Sequence, residues 1–140
     1  MQRYLSKSPE ETVEIGEKIG KKIGRGATIL LSGALGSGKT VLVRGIASAL
    51  GISERVTSPS FTLISVYRGK YELYHVDLYR IERVDEVEDL GLEDILNSGS
   101  IVVIEWGEKI RSILPDDCIE VNINIKSGEE REIILKGISI

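Results

Sequence analysis

Apolar residues change their spacing several times along the chain, and each change marks an element. Ser8-Pro9-Glu10-Glu11 reads as a helix start, with Ser8 as the cap, Pro9 at the first helical position and Glu11 placed to close a capping box. Ile15, Ile19 and Ile23 then recur at every fourth position and predict an apolar stripe that ends near Gly24. Gly16 and Gly20 lie on an adjoining face, where they would let this helix approach a neighbour closely. Residues 27–31 form a short unbroken apolar run, the pattern of a strand buried on both faces. Leu42, Val43, Ile46, Ala47 and Leu50 restore the helical spacing, and Gly51 stops it.

Residues 61–68 and 71–77 predict two strands joined around Gly69-Lys70 as a hairpin. Residues 84–96 are acidic and helical, with a break expected at Gly91. Ile101-Val102-Val103-Ile104 is a second buried-strand run and ends on Glu105-Trp106; a short helix over 109–114 stops before Pro115. Ile119, Val121, Ile123 and Ile125 alternate with polar residues as in a strand with one wet face, and Ser127-Gly128 turns the chain back into residues 131–136. The fold class this predicts is α/β, a mixed sheet with a parallel centre and antiparallel hairpin additions. Residues 1–140 are expected to form one domain, since no repeat, linker or low-complexity stretch divides them.

Composition narrows the chemistry. No apolar run is long enough to span a bilayer and the first residues lack the apolar core of a signal peptide. With a single cysteine, Cys118, and a single histidine, His75, an internal disulfide and a cysteine-based zinc site are excluded, which fits a reducing cytoplasm. The formal net charge of −4 argues against direct binding of nucleic acid. Lys18, Lys21, Lys22 and Arg25 cluster, but they stand near the C-terminal end of the first helix, where the dipole favours cations.

One segment carries specific chemistry. Gly33-Ala34-Leu35-Gly36-Ser37-Gly38-Lys39-Thr40 fits G-x-x-x-x-G-K-[ST] in full, between a buried strand and an amphipathic helix. Backbone N–H groups wrap a phosphate only where no Cβ blocks the approach, which accounts for the glycines. Lys39 would supply charge to the β- and γ-phosphates of ATP, and the Thr40 hydroxyl would be a ligand to Mg²⁺. The nucleotide-binding set is therefore Gly33, Leu35, Gly36, Ser37, Gly38, Lys39, Thr40 and Val41.

A P-loop site also needs an acid at the end of a neighbouring strand. Glu105 ends the most apolar strand and is the candidate for the magnesium shell; Asp77 ends another and would orient the attacking water or share the metal. For each, a helix cap or a surface carboxylate is the plainer alternative. Ser58-Pro59-Ser60-Phe61-Thr62 is placed where a γ-phosphate-sensing loop sits, or forms an ordinary Ser-Pro turn. His75 and Asp77 share a strand face and are in reach of each other, although a packed histidine is the better reading of His75. Trp106 is either core or a stacking surface.

Together with His75-Val76-Asp77-Leu78-Tyr79-Arg80 and Ile104-Glu105-Trp106, these motifs occur in the order and spacing of one family. From about residue 8 to residue 125 the chain resembles TsaE (formerly YjeE), the small bacterial ATPase of threonylcarbamoyladenosine synthesis in tRNA. The resemblance implies that Lys39 and the loop glycines bind ATP, that Thr40 and Glu105 hold magnesium, and that Asp77 serves hydrolysis. It makes residues 58–62 a switch loop and Trp106 a functional neighbour of the metal. It also implies TsaB and TsaD as partners, with tRNA reached only through them. Val41, Ser60 and Gly107 depart from the family's usual threonine, threonine and proline. A small-molecule kinase would need a basic lid and a GTP switch an Asn-Lys-x-Asp motif; the sequence has neither.

Overall fold

Ser8 caps the first helix as its sequence predicts: its Oγ accepts a hydrogen bond from the Glu11 amide at 3.2 Å, and Pro9 opens the first turn. The box closes one residue early, because the Glu11 carboxylate accepts from the Lys7 amide at 3.3 Å. The computed structural model describes residues 1–59 and 63–140. In chain order the elements are β1 (Gln2–Ser6), α1 (Pro9–Lys22), β2 (Thr28–Gly33), α2 (Lys39–Ala49), β3 (Ile64–Arg68) and β4 (Glu72–Asp77). They continue as α3 (Val84–Asp89), α4 (Leu92–Leu96), β5 (Ile101–Glu105), a 3-10 helix (Gly107–Ile113), β6 (Ile119–Ser127) and β7 (Glu130–Lys136).

The strands form one seven-stranded sheet in the order β1-β7-β6-β2-β5-β4-β3. β6, β2, β5 and β4 run parallel, while β3, β7 and β1 pair antiparallel at the two sides, as the sequence pattern predicts. β2 is buried on both faces: Ile29 and Leu31 pack with Ile19, Leu42 and Ile46 under α1 and α2, and Leu30 packs with Val102, Ile104 and Ile110 on the opposite side. Gly16 and Gly20 do admit a close neighbour, since a Cβ at Gly20 would fall 2.7 Å from the Ile46 carbonyl of α2. Gly45 answers from α2, where a Cβ would collide with the Val13 carbonyl.

Several boundaries differ from the sequence expectation. The strand predicted over 61–68 starts at Ile64, because Leu63 adopts φ 67°, a left-handed conformation that no strand continues through; Phe61 and Thr62 lie outside the described residues. The acidic helical segment, by contrast, divides into α3 and α4 at Gly91, where the break is expected; its φ is +72°. The helix expected over 109–114 is a 3-10 helix that begins at Gly107. β1 is an element the pattern does not announce. Among the described residues no helix is long and apolar enough to cross a membrane.

Candidate functional site

The parallel strands bring three chain positions to one edge of the sheet. β2 ends at Gly33, β5 at Glu105 and β4 at Asp77, with Asp77 and Glu105 as register partners. From Gly33 the chain crosses a glycine loop into α2. Gly33 is packed from behind, since a Cβ there would lie 2.6 Å from the Ile123 carbonyl and 2.7 Å from Ser37 Oγ. Gly36 (φ +78°) and Gly38 (φ +106°) hold left-handed conformations that favour glycine, and a Cβ at either would meet no atom within 4 Å. α2 opens on Gly38 with no side-chain cap, so no capping side chain takes up its first N–H groups.

The loop is braced from the far end of the chain. Arg131 of β7 donates from Nε to the Ser37 carbonyl at 2.9 Å and from Nη2 to the Gly36 carbonyl at 3.5 Å. A peptide whose carbonyl is turned toward Arg131 presents the following N–H on the opposite side. Ser37 is fixed further by its own N–H, which donates to the Ala34 carbonyl at 3.0 Å. Its buried Oγ finds no hydrogen-bond partner among the described residues.

A cavity of about 700 Å³ opens over this edge. Of the residues singled out from sequence, Leu35, Gly36, Gly38, Lys39, Thr40, Val41, Ser58, Asp77, Glu105 and Trp106 lie on its wall. Gly33 and the buried Ser37 and Pro59 do not line it. Ser60, Phe61 and Thr62 lie outside the described residues. Leu63, Tyr79 and Arg80 also line the cavity and were not legible as such.

Glu105 is 4% exposed and held from two sides. Its Oε2 lies 2.6 Å from His75 Nε2 and its Oε1 3.3 Å from Lys39 Nζ, which also donates to the Gly33 carbonyl at 2.9 Å. Burial pushes this carboxyl up, but the hydrogen bond to His75 and the charges of His75 and Lys39 outweigh it and hold it below its ordinary range. The sequence put His75 within reach of Asp77; the sheet order instead places β5 beside β4 and gives the imidazole to Glu105. Asp77 accepts from the Tyr79 amide at 2.9 Å, and its own amide donates to the Leu63 carbonyl at 2.8 Å.

Trp106 lines the cavity as a partly exposed ring. It takes φ 63°, is 37% exposed, packs against Tyr79 with ring centroids 5.0 Å apart, and has Lys39 Nζ 5.4 Å from its ring. Among the described residues no three His, Cys, Asp or Glu side chains converge into a protein-only metal cage. The oxygen donors on the wall, Thr40, Asp77 and Glu105, suit a hard cation that also takes oxygens from phosphate and water.

The sequence model of the family described as threonylcarbamoyl adenosine biosynthesis protein TsaE matches residues 6–133. The chain belongs to the TsaE family. It is similar to the tRNA threonylcarbamoyladenosine biosynthesis protein TsaE of Treponema pallidum, 38% identical over 131 residues that cover 94% of this chain and 97% of the relative. The TsaE of Bacillus subtilis is 36% identical over 137 residues, covering 97% of this chain and 85% of the relative. The crystal structure of Bacillus subtilis YdiB superposes with a TM-score of 0.81 and 32% identity, over 94% of this chain and 82% of that one. These TsaE matches span the glycine loop, both strand-end carboxylates and Trp106 in one continuous stretch.

Proposed function

We propose that the chain binds ATP with magnesium at this cavity, hydrolyses it weakly by itself, and serves threonylcarbamoyladenosine synthesis in tRNA together with TsaB and TsaD. The observation that carries the ATP reading is the convergence of Lys39, Thr40, Asp77 and Glu105 on one cavity at the end of a glycine loop. The pathway and partners rest on membership of the TsaE family and on the names of its relatives.

Each residue has a defined task in this reading. The loop N–H groups and Lys39 bind phosphate oxygens, so Lys39 must give up part of its contact with Glu105 when ATP enters. Thr40 and Glu105 would hold magnesium, which when bound neutralises charge between the β- and γ-phosphates. His75, 2.6 Å from Glu105 Oε2, would keep that carboxylate oriented as Lys39 turns toward phosphate. Asp77, at the neighbouring strand end beside Glu105, would orient a water toward the γ-phosphate. Ser58 on the cavity wall and the segment through Thr62 would respond to that phosphate and to a partner surface. Contact with tRNA is left to the partners, in keeping with a net charge of −4.

Titration with a fluorescent ATP analogue tests the site: Lys39→Ala is expected to lose productive binding, and GTP to compete poorly. Unchanged affinity would remove the P-loop reading. Capture by TsaB and TsaD in ATP, ADP and nucleotide-free states tests the switch, with equal capture in all three counting against it.

A further inference from the structure

After Asp77 the chain passes through residues 78–83 without regular structure, yet this segment carries Tyr79 and Arg80 on the cavity wall. Three of its carbonyls converge on one point. Lys109 Nζ, reaching over from the 3-10 helix, donates to the carbonyls of Leu78 at 3.1 Å, Tyr79 at 2.8 Å and Ile81 at 2.8 Å. An ammonium has three donors and no acceptor, so this contact uses its whole hydrogen-bonding capacity. The same nitrogen lies 6.0 Å from the Tyr79 ring centroid.

We propose that Lys109 is a positioning residue: its ammonium acts as a tethered cation that fills a three-carbonyl cradle and fixes the segment after Asp77 at the cavity. The buried side chains of Leu78 and Ile81 hold the segment to the core, and Lys109 holds its main chain through the carbonyls. Carbonyl dipoles gathered on one point repel each other unless a cation sits between them. The effect reaches the site by two routes. The Tyr79 amide donates to Asp77 Oδ1, so placing that peptide sets the carboxylate. The Tyr79 ring packs on Trp106, which stands over Lys39. The consequence for turnover rests on the ATPase reading above; the cradle itself does not.

Trp106 is the only tryptophan in the chain, so its emission reports the Tyr79 contact without a label. In nucleotide-free protein, Lys109→Ala is expected to increase acrylamide quenching of Trp106. Methylammonium, which restores the missing donors, should return quenching to the wild-type value in a saturable titration. Tetramethylammonium at equal ionic strength carries the charge without N–H groups and should not. Lys109→Met keeps the aliphatic stem and should quench like Lys109→Ala while retaining the wild-type far-UV circular dichroism. With ATP, turnover of Lys109→Ala should fall about 10- to 100-fold at unchanged nucleotide affinity, as expected of a misplaced reacting group, and recover with methylammonium. Wild-type quenching in both variants, equal recovery with tetramethylammonium, or loss of the fold in both variants would overturn the proposal. A wild-type protein that neither binds nor hydrolyses ATP would remove the ATPase reading instead, and the quenching result would still decide on the cradle.

Discussion

His75 Nε2 and Glu105 Oε2 lie 2.6 Å apart across two parallel strands, with His75 fully buried and Glu105 nearly so. The pair anchors the one carboxylate that faces the loop lysine, and it makes stability depend on pH with a definite sign. Glu105 is held below its ordinary range in the folded protein, so it adds stability above the unfolded-state value and loses it as pH falls through the folded one.

The urea midpoint should therefore drop as pH is taken below about 4.3, the unfolded glutamate value, and Glu105→Gln should flatten that acid limb. Glu132 acts with the same sign, since the hydrogen bond from Asn124 and the charges of Lys126 and Arg3 hold it low. It is present in both proteins, so the difference isolates Glu105. Identical acid limbs would contradict the assignment.

Asp77→Asn is expected to keep the fold and nucleotide affinity, because an asparagine oxygen still accepts from the Tyr79 amide. Turnover should fall by about 100-fold or more if the charge orients water. Glu105→Gln should lose magnesium-dependent turnover by a similar factor. Single-turnover measurements separate the two, and normal hydrolysis by Asp77→Asn would reduce Asp77 to a turn-former.

Arg131→Gln removes the charged brace behind the Gly36 and Ser37 carbonyls. Hydrogen bonds from a charged donor contribute about 1.5–3 kcal/mol, so nucleotide affinity should weaken by about tenfold or more. Isothermal titration with ADP reads this without any hydrolysis. Wild-type affinity would show that the loop is preorganised by its own glycines.

Gly16→Ala tests the α1–α2 contact, where a new Cβ would run into the Leu42 carbonyl. Overpacking of this kind costs about 1–3 kcal/mol and should appear as a lower denaturation midpoint at an unchanged slope. A variant as stable as wild type would mean that the helices separate freely.

What could be read from the sequence follows from what is local. The glycine loop, the capped first helix and the double-sided burial of β2 are encoded within a few residues of themselves. β1 has no such signal: Gln2-Arg3-Tyr4-Leu5-Ser6 is short, and it becomes a strand by pairing with residues 131–135 of β7. The partner of His75 was hidden for the same reason, since strand order decides whether Glu105 or Asp77 meets it. Arg131 and Lys109 act on backbone carbonyls, and a carbonyl leaves no trace in residue identity. Leu63 shows the reverse case, a β-rich run interrupted by a left-handed residue that its side chain does not announce.

The pairing of β1 with β7 sets an order of events during synthesis. β1 leaves the ribosome long before its neighbour exists, and contacts between such distant segments form late. Arg131 belongs to the same late strand, so a nascent chain carries the whole glycine loop before it has the clamp that shapes it. Nucleotide affinity would then mature in step with closure of the sheet edge, and a chain cut short of β7 would present the motif without the competence.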